Sequence, residues 1–287
     1  MFSYDKNILN FLINLIINIL MKKSYILVID SGLGGINILK EMLIQFPQQN
    51  FIYVLDNKNC PYGNKNKEIL VENAIKIVYD NMCKYNIKLI VFACNTLTSV
   101  AIDEIRLFLK KQYLKSLTDK SQNNSNIDFN IKVVGTEPPI KMVNPNEKTL
   151  ILSTPLTLKY NRIINNFLDN ENFTFIGLND VAKFVDENFY NKEKVVKSLL
   201  NQIPFDKYKN VVLGCTHYYY LENEIKTILN NLNLKFYTAT NGVVNRVKFL
   251  LNFFYKKEFC QNKQKIKIIL TKHNLKLKKT AKRILKN

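Results

Sequence analysis

Residues 25–35 read Tyr25-Ile26-Leu27-Val28-Ile29-Asp30-Ser31-Gly32-Leu33-Gly34-Gly35, and this stretch decides the fold. Tyr25 to Ile29 is a continuous apolar run, which suits a strand buried on both faces, as in a parallel sheet. It ends in a polar, glycine-rich turn, and the amphipathic stretch Ile36 to Phe46 follows. Strand, turn and helix make the repeating unit of an α/β fold. The unit recurs: Phe51 to Leu55 runs into Asp56, Glu68 to Tyr85 has helical spacing, and Leu89 to Ala93 runs into Cys94.

The polar stretch Ser116 to Asn130 has the composition of a linker. The pattern then restarts. Lys132 to Val134, Thr149 to Leu152, Thr174 to Ile176 and Val211 to Leu213 are expected strands. Asn161 to Asp169, Lys192 to Gln202 and Glu222 to Asn231 are expected helices. Val91-Phe92-Ala93-Cys94-Asn95-Thr96 and Val212-Leu213-Gly214-Cys215-Thr216-His217 are alike: an apolar strand, a small residue, a cysteine, then polar groups. Ile29-Asp30-Ser31 and Leu152-Ser153-Thr154 form a second such pair. The expectation is two similar parallel-sheet α/β domains in a pseudo-twofold relation. Ligands of open α/β sheets sit beyond the carboxyl ends of the strands, so those strand ends are where chemistry is expected.

The chain has 287 residues and a formal net charge of +19. That length allows one large domain or two smaller ones with proper cores. Lysines are spread along the chain, with one dense block from Lys256 to Lys286. No nucleic-acid recognition motif accompanies the charge, so a solvated basic surface is the simpler reading. Abundant Asn, Lys and Ile, with no Trp, match an A/T-rich coding sequence. Five cysteines without metal-like spacing, and no convincing export signal, suit a reducing cytoplasm. Ile8 to Leu20 is apolar but broken by Asn10, Asn14 and Asn18, too short to span a membrane and without a cleavage site. Residues 1–20 are therefore expected to be an extension, with the fold starting near Met21.

Cys94 and Cys215 are the first candidates for chemistry. A cysteine between a strand and a helix N-terminus feels a positive dipole that favours the thiolate. A single buried cysteine is more often an inert core residue; two in matching contexts favour function. Cys60, Cys83 and Cys260 have no such contexts and are taken as structural. His217, two residues after Cys215, could be a thiol's proton partner. Cys-x-His could also give two zinc ligands, but no set of four accompanies it. The Asp30–Gly35 turn is neither a dinucleotide fingerprint nor a Walker loop. It more plausibly places a carboxylate and a hydroxyl in a pocket, as Asp56 and Pro61-Tyr62-Gly63 would in a second loop; Pro-Tyr-Gly can equally be an ordinary turn.

Taken together, Asp30-Ser31-Gly32-Leu33-Gly34-Gly35, Pro61-Tyr62-Gly63, Ala93-Cys94-Asn95-Thr96, Ser153-Thr154-Pro155-Leu156-Thr157-Leu158-Lys159 and Gly214-Cys215-Thr216-His217-Tyr218 resemble the bacterial glutamate racemases in order and spacing. The resemblance runs from about Tyr25 to the C-terminus. It implies two α/β domains, at 21–117 and 118–237, with residues 238–287 completing the first and the active site between them. It implies no cofactor and no metal. Cys94 and Cys215 would face opposite sides of the substrate α-carbon, Cys94 acting on D-glutamate and Cys215 on L-glutamate. Asp30 would assist Cys94 and His217 would assist Cys215.

Racemisation needs an acid and a base that exchange roles, and a thiol, with a pKa of about 8.5, reaches both forms near working pH. The carbanion must be stabilised by oriented donors in a dry site. Ser31, Asn95, Thr96, Thr154 and Thr216 are suited to hold the substrate, with backbone N–H groups of Tyr62 and Gly63. Some positions depart from the family pattern. Asp186, next to Glu187, stands where a glutamate usually supports the histidine. Thr240-Asn241-Gly242 replaces Asp-Ser-Gly, and Tyr218-Tyr219-Tyr220 replaces Tyr-Pro-Leu. The expected role is supply of D-glutamate for peptidoglycan. The alternatives are an aspartate racemase of the same superfamily and a basic nucleic-acid-associated protein on this scaffold. Expected partners are L- and D-glutamate, with no membrane, and the assembly to consider is a homodimer.

Overall fold

The computed structural model describes residues 23–118, 128–230, 233–254 and 264–286. The expected extension, residues 1–20, lies outside them. Nine strands are present among the described residues: β1 (Ser24–Asp30), β2 (Asn50–Leu55), β3 (Asn86–Phe92), β4 (Lys132–Val134), β5 (Thr149–Ser153), β6 (Phe173–Gly177), β7 (Asn210–Gly214), β8 (Lys235–Tyr237) and β9 (Ile266–Leu270). They form two sheets, β4-β3-β1-β2-β9 and β6-β5-β7-β8. Every pairing is parallel. The helices that matter to the site are α1 (Ile36–Gln45), α2 (Lys67–Lys84), α3 (Asn95–Thr118), α4 (Pro155–Tyr160), α5 (Arg162–Asn165), α6 (Val181–Glu187), α7 (Glu193–Leu200), α8 (Glu222–Leu229), α9 (Thr240–Phe254) and α10 (Leu275–Ile284).

The unbroken apolar run of β1 follows from its place in the middle of a sheet covered on both faces. Leu27 and Ile29 face a core with Val78, Leu97, Ala101 and Ile105 from α2 and α3. Ile26 and Val28 face a second core with Ile38 and Leu39 of α1, Val247 and Leu250 of α9, and Leu277 and Ala281 of α10. The basic C-terminal block is thus partly an amphipathic helix: α10 buries Leu277, Thr280 and Ala281 and leaves its lysines outside. The second sheet has its own cores, one around Leu150, Val185, Val211 and Leu213 and one around Ile151, Ile164 and Val212.

Three departures from the sequence reading have local causes. Lys132–Val134 does not open the second sheet; it pairs with β3 as an edge strand of the first, so the crossing to the second sheet follows β4. The helix expected over Asn161 to Asp169 is only the four-residue α5, Arg162–Asn165, and a separate short helix, α4, precedes it. Asn161 takes an extended backbone between them, and its side chain accepts the N–H groups of Ile163 and Ile164 as the cap of α5. The edge strand β8 carries too few residues for a period to show, and β9 lies within the lysine-rich C-terminal block, where it escapes the sequence reading.

Truncating Leu250 tests whether α9 belongs to the first core. Leu250 is 4 % exposed. Leu250→Ala is expected to cost about 2–5 kcal/mol in chemical denaturation; a loss well under 1 kcal/mol would contradict the packing.

Candidate active site

Read from the β4 and β8 edges, the two sheets match strand for strand: β4-β3-β1-β2 against β8-β7-β5-β6. Cys94 follows β3 and Cys215 follows β7, so the two thiols occupy equivalent positions. Asp30 ends β1 and Ser153 ends its counterpart β5. Both cysteines are buried.

Cys94 sits directly before the 24-residue helix α3. The backbone N–H of Leu97 points at its Sγ from 3.5 Å, while the N–H of Thr98 closes the first helical turn on the Cys94 carbonyl. Burial pushes the thiol well above its ordinary value, the Asp30 charge adds to this, and the N–H groups of Leu97 and Thr96 pull the other way. A charge on Cys215 also raises it.

Cys215 Sγ lies 3.9 Å from His217 Nδ1. The other ring nitrogen, Nε2, lies 3.1 Å from Asp186 Oδ1. Burial disfavours charge on the imidazole, but the Asp186 carboxylate and its hydrogen bond outweigh that and hold the pKa well above the usual histidine range. The shorter carboxylate of Asp186 reaches the ring directly. Glu187 points elsewhere and pairs loosely with Lys183 at 4.0 Å. The close approach depends on glycines in the Asp30–Gly35 turn. A Cβ on Gly32 would lie 2.0 Å from Asp186 Oδ2, and one on Gly34 would lie 2.5 Å from His217 Nδ1.

Asp30 is fully buried and joins the two halves. Its Oδ1 accepts the Gly32 N–H at 2.8 Å and the Ser31 hydroxyl at 3.3 Å. Its Oδ2 accepts the Thr216 hydroxyl from the second sheet at 3.0 Å. Burial raises its pKa to about 6, against the lowering effects of His217 and the Gly32 N–H. Thr96 and Thr154 meet across the halves at 2.9 Å, and Thr157 joins them. Gly63 lies against Thr154, whose Cβ would be 2.8 Å from a Cβ placed on the glycine. Asn95 donates to the Thr136 carbonyl, and it lines one small hollow with Cys215 and Thr216. Tyr62 is turned to Asp56, to which its hydroxyl donates at 2.6 Å, and Pro61 beside it is half-buried.

Several neighbours escaped the sequence reading. Cys60, taken as structural, places its Sγ 4.0 Å from Asp186 Oδ2, and burial with the Asp186 charge pushes its thiol up to about 12. Its only signal was adjacency to Pro61-Tyr62-Gly63. Tyr53 and Tyr220 donate to the carbonyls of Gly32 and Leu33, at 2.8 and 3.2 Å. Tyr53 reads as one more apolar strand residue, and Tyr220 as one of three tyrosines in a row. Among the described residues, no group of three His, Cys, Asp or Glu side chains could hold a metal ion, and no helix is long and apolar enough to cross a membrane.

Sequence comparison finds the glutamate racemase of Clostridium acetobutylicum, 33% identical over 260 residues, covering 87% of this chain and 92% of that protein. The glutamate racemase of Leptospira interrogans serovar Lai is 32% identical over 231 residues, covering 78% and 80%. No protein-family model matches. Among solved structures, the glutamate racemase of Thermus thermophilus in complex with β-chloro-D-alanine superposes with a TM-score of 0.69 at 21% identity, over 92% of this chain and 93% of that one. The Escherichia coli glutamate racemase in complex with L-glutamate and the activator UDP-MurNAc-Ala gives a TM-score of 0.69 at 22% identity, over 92% and 94%. These likenesses show the fold.

The buried Asp30 carboxyl gives a signed pH dependence. Its pKa rises from an ordinary 3.8 to about 6 on folding. The folded state therefore binds the proton more tightly, and the stability it contributes is present below about pH 4 and lost as pH rises through about 6, on the order of 3 kcal/mol. Asp30→Asn is expected to remove that slope, so the variant gains on the parent between about pH 4 and pH 7 in denaturant titrations. Parallel stability curves for the two proteins would refute the assignment.

Proposed function

The chain belongs to the glutamate racemase family, and we propose that it interconverts L- and D-glutamate by passing the α-proton between Cys94 and Cys215, with no pyridoxal phosphate. The observation that carries this reading is the pair of buried thiols at equivalent strand ends of two matching sheets. A reaction that inverts a carbon needs one proton carrier on each face, and equivalent positions in related halves supply that arrangement.

The two thiols are prepared differently. Beside Cys215, His217 Nδ1 lies 3.9 Å from the sulfur, placed to balance a thiolate formed there. That thiolate takes the α-proton of L-glutamate, and the Cys94 thiol delivers its proton to the opposite face. In the reverse direction Cys94 must give up its proton first. Burial opposes this, so the Leu97 and Thr96 N–H groups stabilise the charge as it forms. Asp30, with a pKa near the working range, takes up and returns protons on the Cys94 side. Asp186 holds the His217 ring and balances its charge.

Ser31, Asn95, Thr96, Thr154 and Thr216, with the N–H groups of Tyr62 and Gly63, anchor the substrate's carboxylates and ammonium. An anchored α-carboxylate stabilises the carbanion, and the buried surroundings strengthen each such contact. The product supplies peptidoglycan synthesis in the cytoplasm. A clear preference for aspartate over glutamate would overturn the substrate while sparing the two-thiol chemistry.

Single cysteine variants separate the half-reactions. A serine hydroxyl is far harder to ionise than a thiol, so Cys94→Ser and Cys215→Ser are each expected to abolish racemisation in a polarimetric assay. With a glutamate analogue carrying a leaving group at the β-carbon, elimination needs proton removal alone. Cys94→Ser is expected to keep elimination from the L-analogue, and Cys215→Ser from the D-analogue. Near-normal racemisation in either variant would sink the mechanism. Asp186→Asn is expected to slow turnover more than Glu187→Gln; the reverse order would move the supporting role to Glu187.

A further inference from the structure

We propose that Tyr53 and Tyr220 are positioning residues that aim two successive backbone N–H groups at the Asp186–His217 pair and thereby set how readily His217 gives up its proton. The inference rests on the reading of His217 as the proton partner of Cys215. Its geometry lies in two consecutive peptide planes of the Asp30–Gly35 turn. In the first, the Gly32 carbonyl accepts the Tyr53 hydroxyl at 2.8 Å, and the Leu33 N–H donates to Asp186 Oδ1 at 3.2 Å. In the second, the Leu33 carbonyl accepts the Tyr220 hydroxyl at 3.2 Å, and the Gly34 N–H points at His217 Nε2 from 3.3 Å.

Both peptides are trans, since the single cis bond among the described residues is Cys60–Pro61. A trans peptide is planar, with its C=O and N–H directed oppositely. Fixing the carbonyl therefore fixes the line of the N–H. A donor on the carbonyl also polarises the peptide and strengthens its N–H as a donor. The two hydroxyls come from different halves: Tyr53 from β2 and Tyr220 from the short helical turn Thr216–Leu221 after β7. Tyr220 is braced edge-on by Phe189, with ring centroids 4.8 Å apart. Burial raises both phenols, so both remain donors throughout the working range.

The effect on His217 has a definite sign. His217 Nε2 cannot donate to Asp186 and accept from Gly34 at once. The protonated ring donates to Asp186; the neutral ring with its proton on Nδ1 accepts from Gly34. The Gly34 N–H thus favours the neutral ring. The Leu33 N–H shares Asp186 Oδ1 and weakens that carboxylate's hold on the imidazolium. Both peptides oppose the attraction of Asp186 and keep the proton exchangeable. The other titratable groups facing the ring are Cys215 after β7, Asp30 at the end of β1 and, on the far side of Asp186, Cys60. The tyrosine hydroxyls donate to the Gly32 and Leu33 carbonyls, so removing them leaves these groups in place.

The test uses Tyr220→Phe, Tyr53→Phe and the double variant, which keep the rings and remove only the hydroxyls. The chain has two histidines, so imidazole-labelled protein gives two resonances to titrate by NMR, and His217→Asn assigns them. Expected is a rise in the His217 pKa of about half a unit or more in each variant, with His273 unmoved. kcat should fall several-fold, and the pH profile should shift upward with it. A fall in kcat with an unmoved or lowered His217 pKa would make the tyrosines merely structural and overturn the inference, as would no change in either. If Tyr53→Phe fails to fold, Tyr220→Phe decides alone. The titration needs no turnover: a protein that does not racemise glutamate but shows the shift would lose the substrate reading and keep the positioning role.

Discussion

The contact between the Asp30–Gly35 turn of the first sheet and the His217–Asp186 pair of the second is the constraint on which the site depends. It brings three ionisable groups together beside two thiols, Asp30 and His217 out of water and Asp186 at the edge of the buried region. Isolated, each charge would be costly to bury. Together they are hydrogen-bonded: Asp30 by Gly32, Ser31 and Thr216, and Asp186 by Leu33 and His217. Among the described residues, Gln49 Oε1 is the buried side-chain polar atom left without a partner, and it lies away from the site. Buried ion pairs are weak sources of stability. The raised pKa of Asp30 is a sign that this cluster is retained for chemistry at some cost to the fold.

The same contact gives meaning to the departures from the family pattern. An aspartate is one carbon shorter than a glutamate, yet Asp186 touches His217 directly because glycines at 32 and 34 leave room for both side chains. Tyr218 lies buried and its hydroxyl reaches the carbonyls of Ser153 and Leu178, fastening the second sheet's strand ends to the Cys215 turn. Tyr219 is largely exposed. Thr240, at the start of α9, accepts the side-chain N–H of Asn37 in α1, which ties the C-terminal helix to the first helix. Gly242 has open space around it, so close packing is not the reason for a glycine there.

The sequence made the central strands legible because β1, β3, β5 and β7 are buried on both faces and carry uninterrupted apolar runs. Cys94 and Cys215 were legible because the strand ends repeat. The edge strands were legible only in part: Lys132–Val134 reads as a strand but only its pairing shows which sheet it joins, and β8 and β9 escaped the sequence reading. Tyr53, Tyr220 and Cys60 were hidden for a different reason. Each acts by a contact across more than twenty residues of chain, and nothing in the local pattern distinguishes a tyrosine that packs from one whose hydroxyl fixes a distant carbonyl.

The central claim is that two thiols, one on each face, carry the proton. The most direct test is to convert L-glutamate in deuterated water, without added pyridoxal phosphate, and to examine both enantiomers by mass spectrometry at low conversion. Separate acids and bases require the newly formed D-glutamate to carry deuterium at the α-carbon while the recovered L-glutamate remains protiated. Deuterium entering the recovered L-glutamate as fast as the product, or protium transferred intact into D-glutamate, would mean that one group serves both faces and would contradict the account.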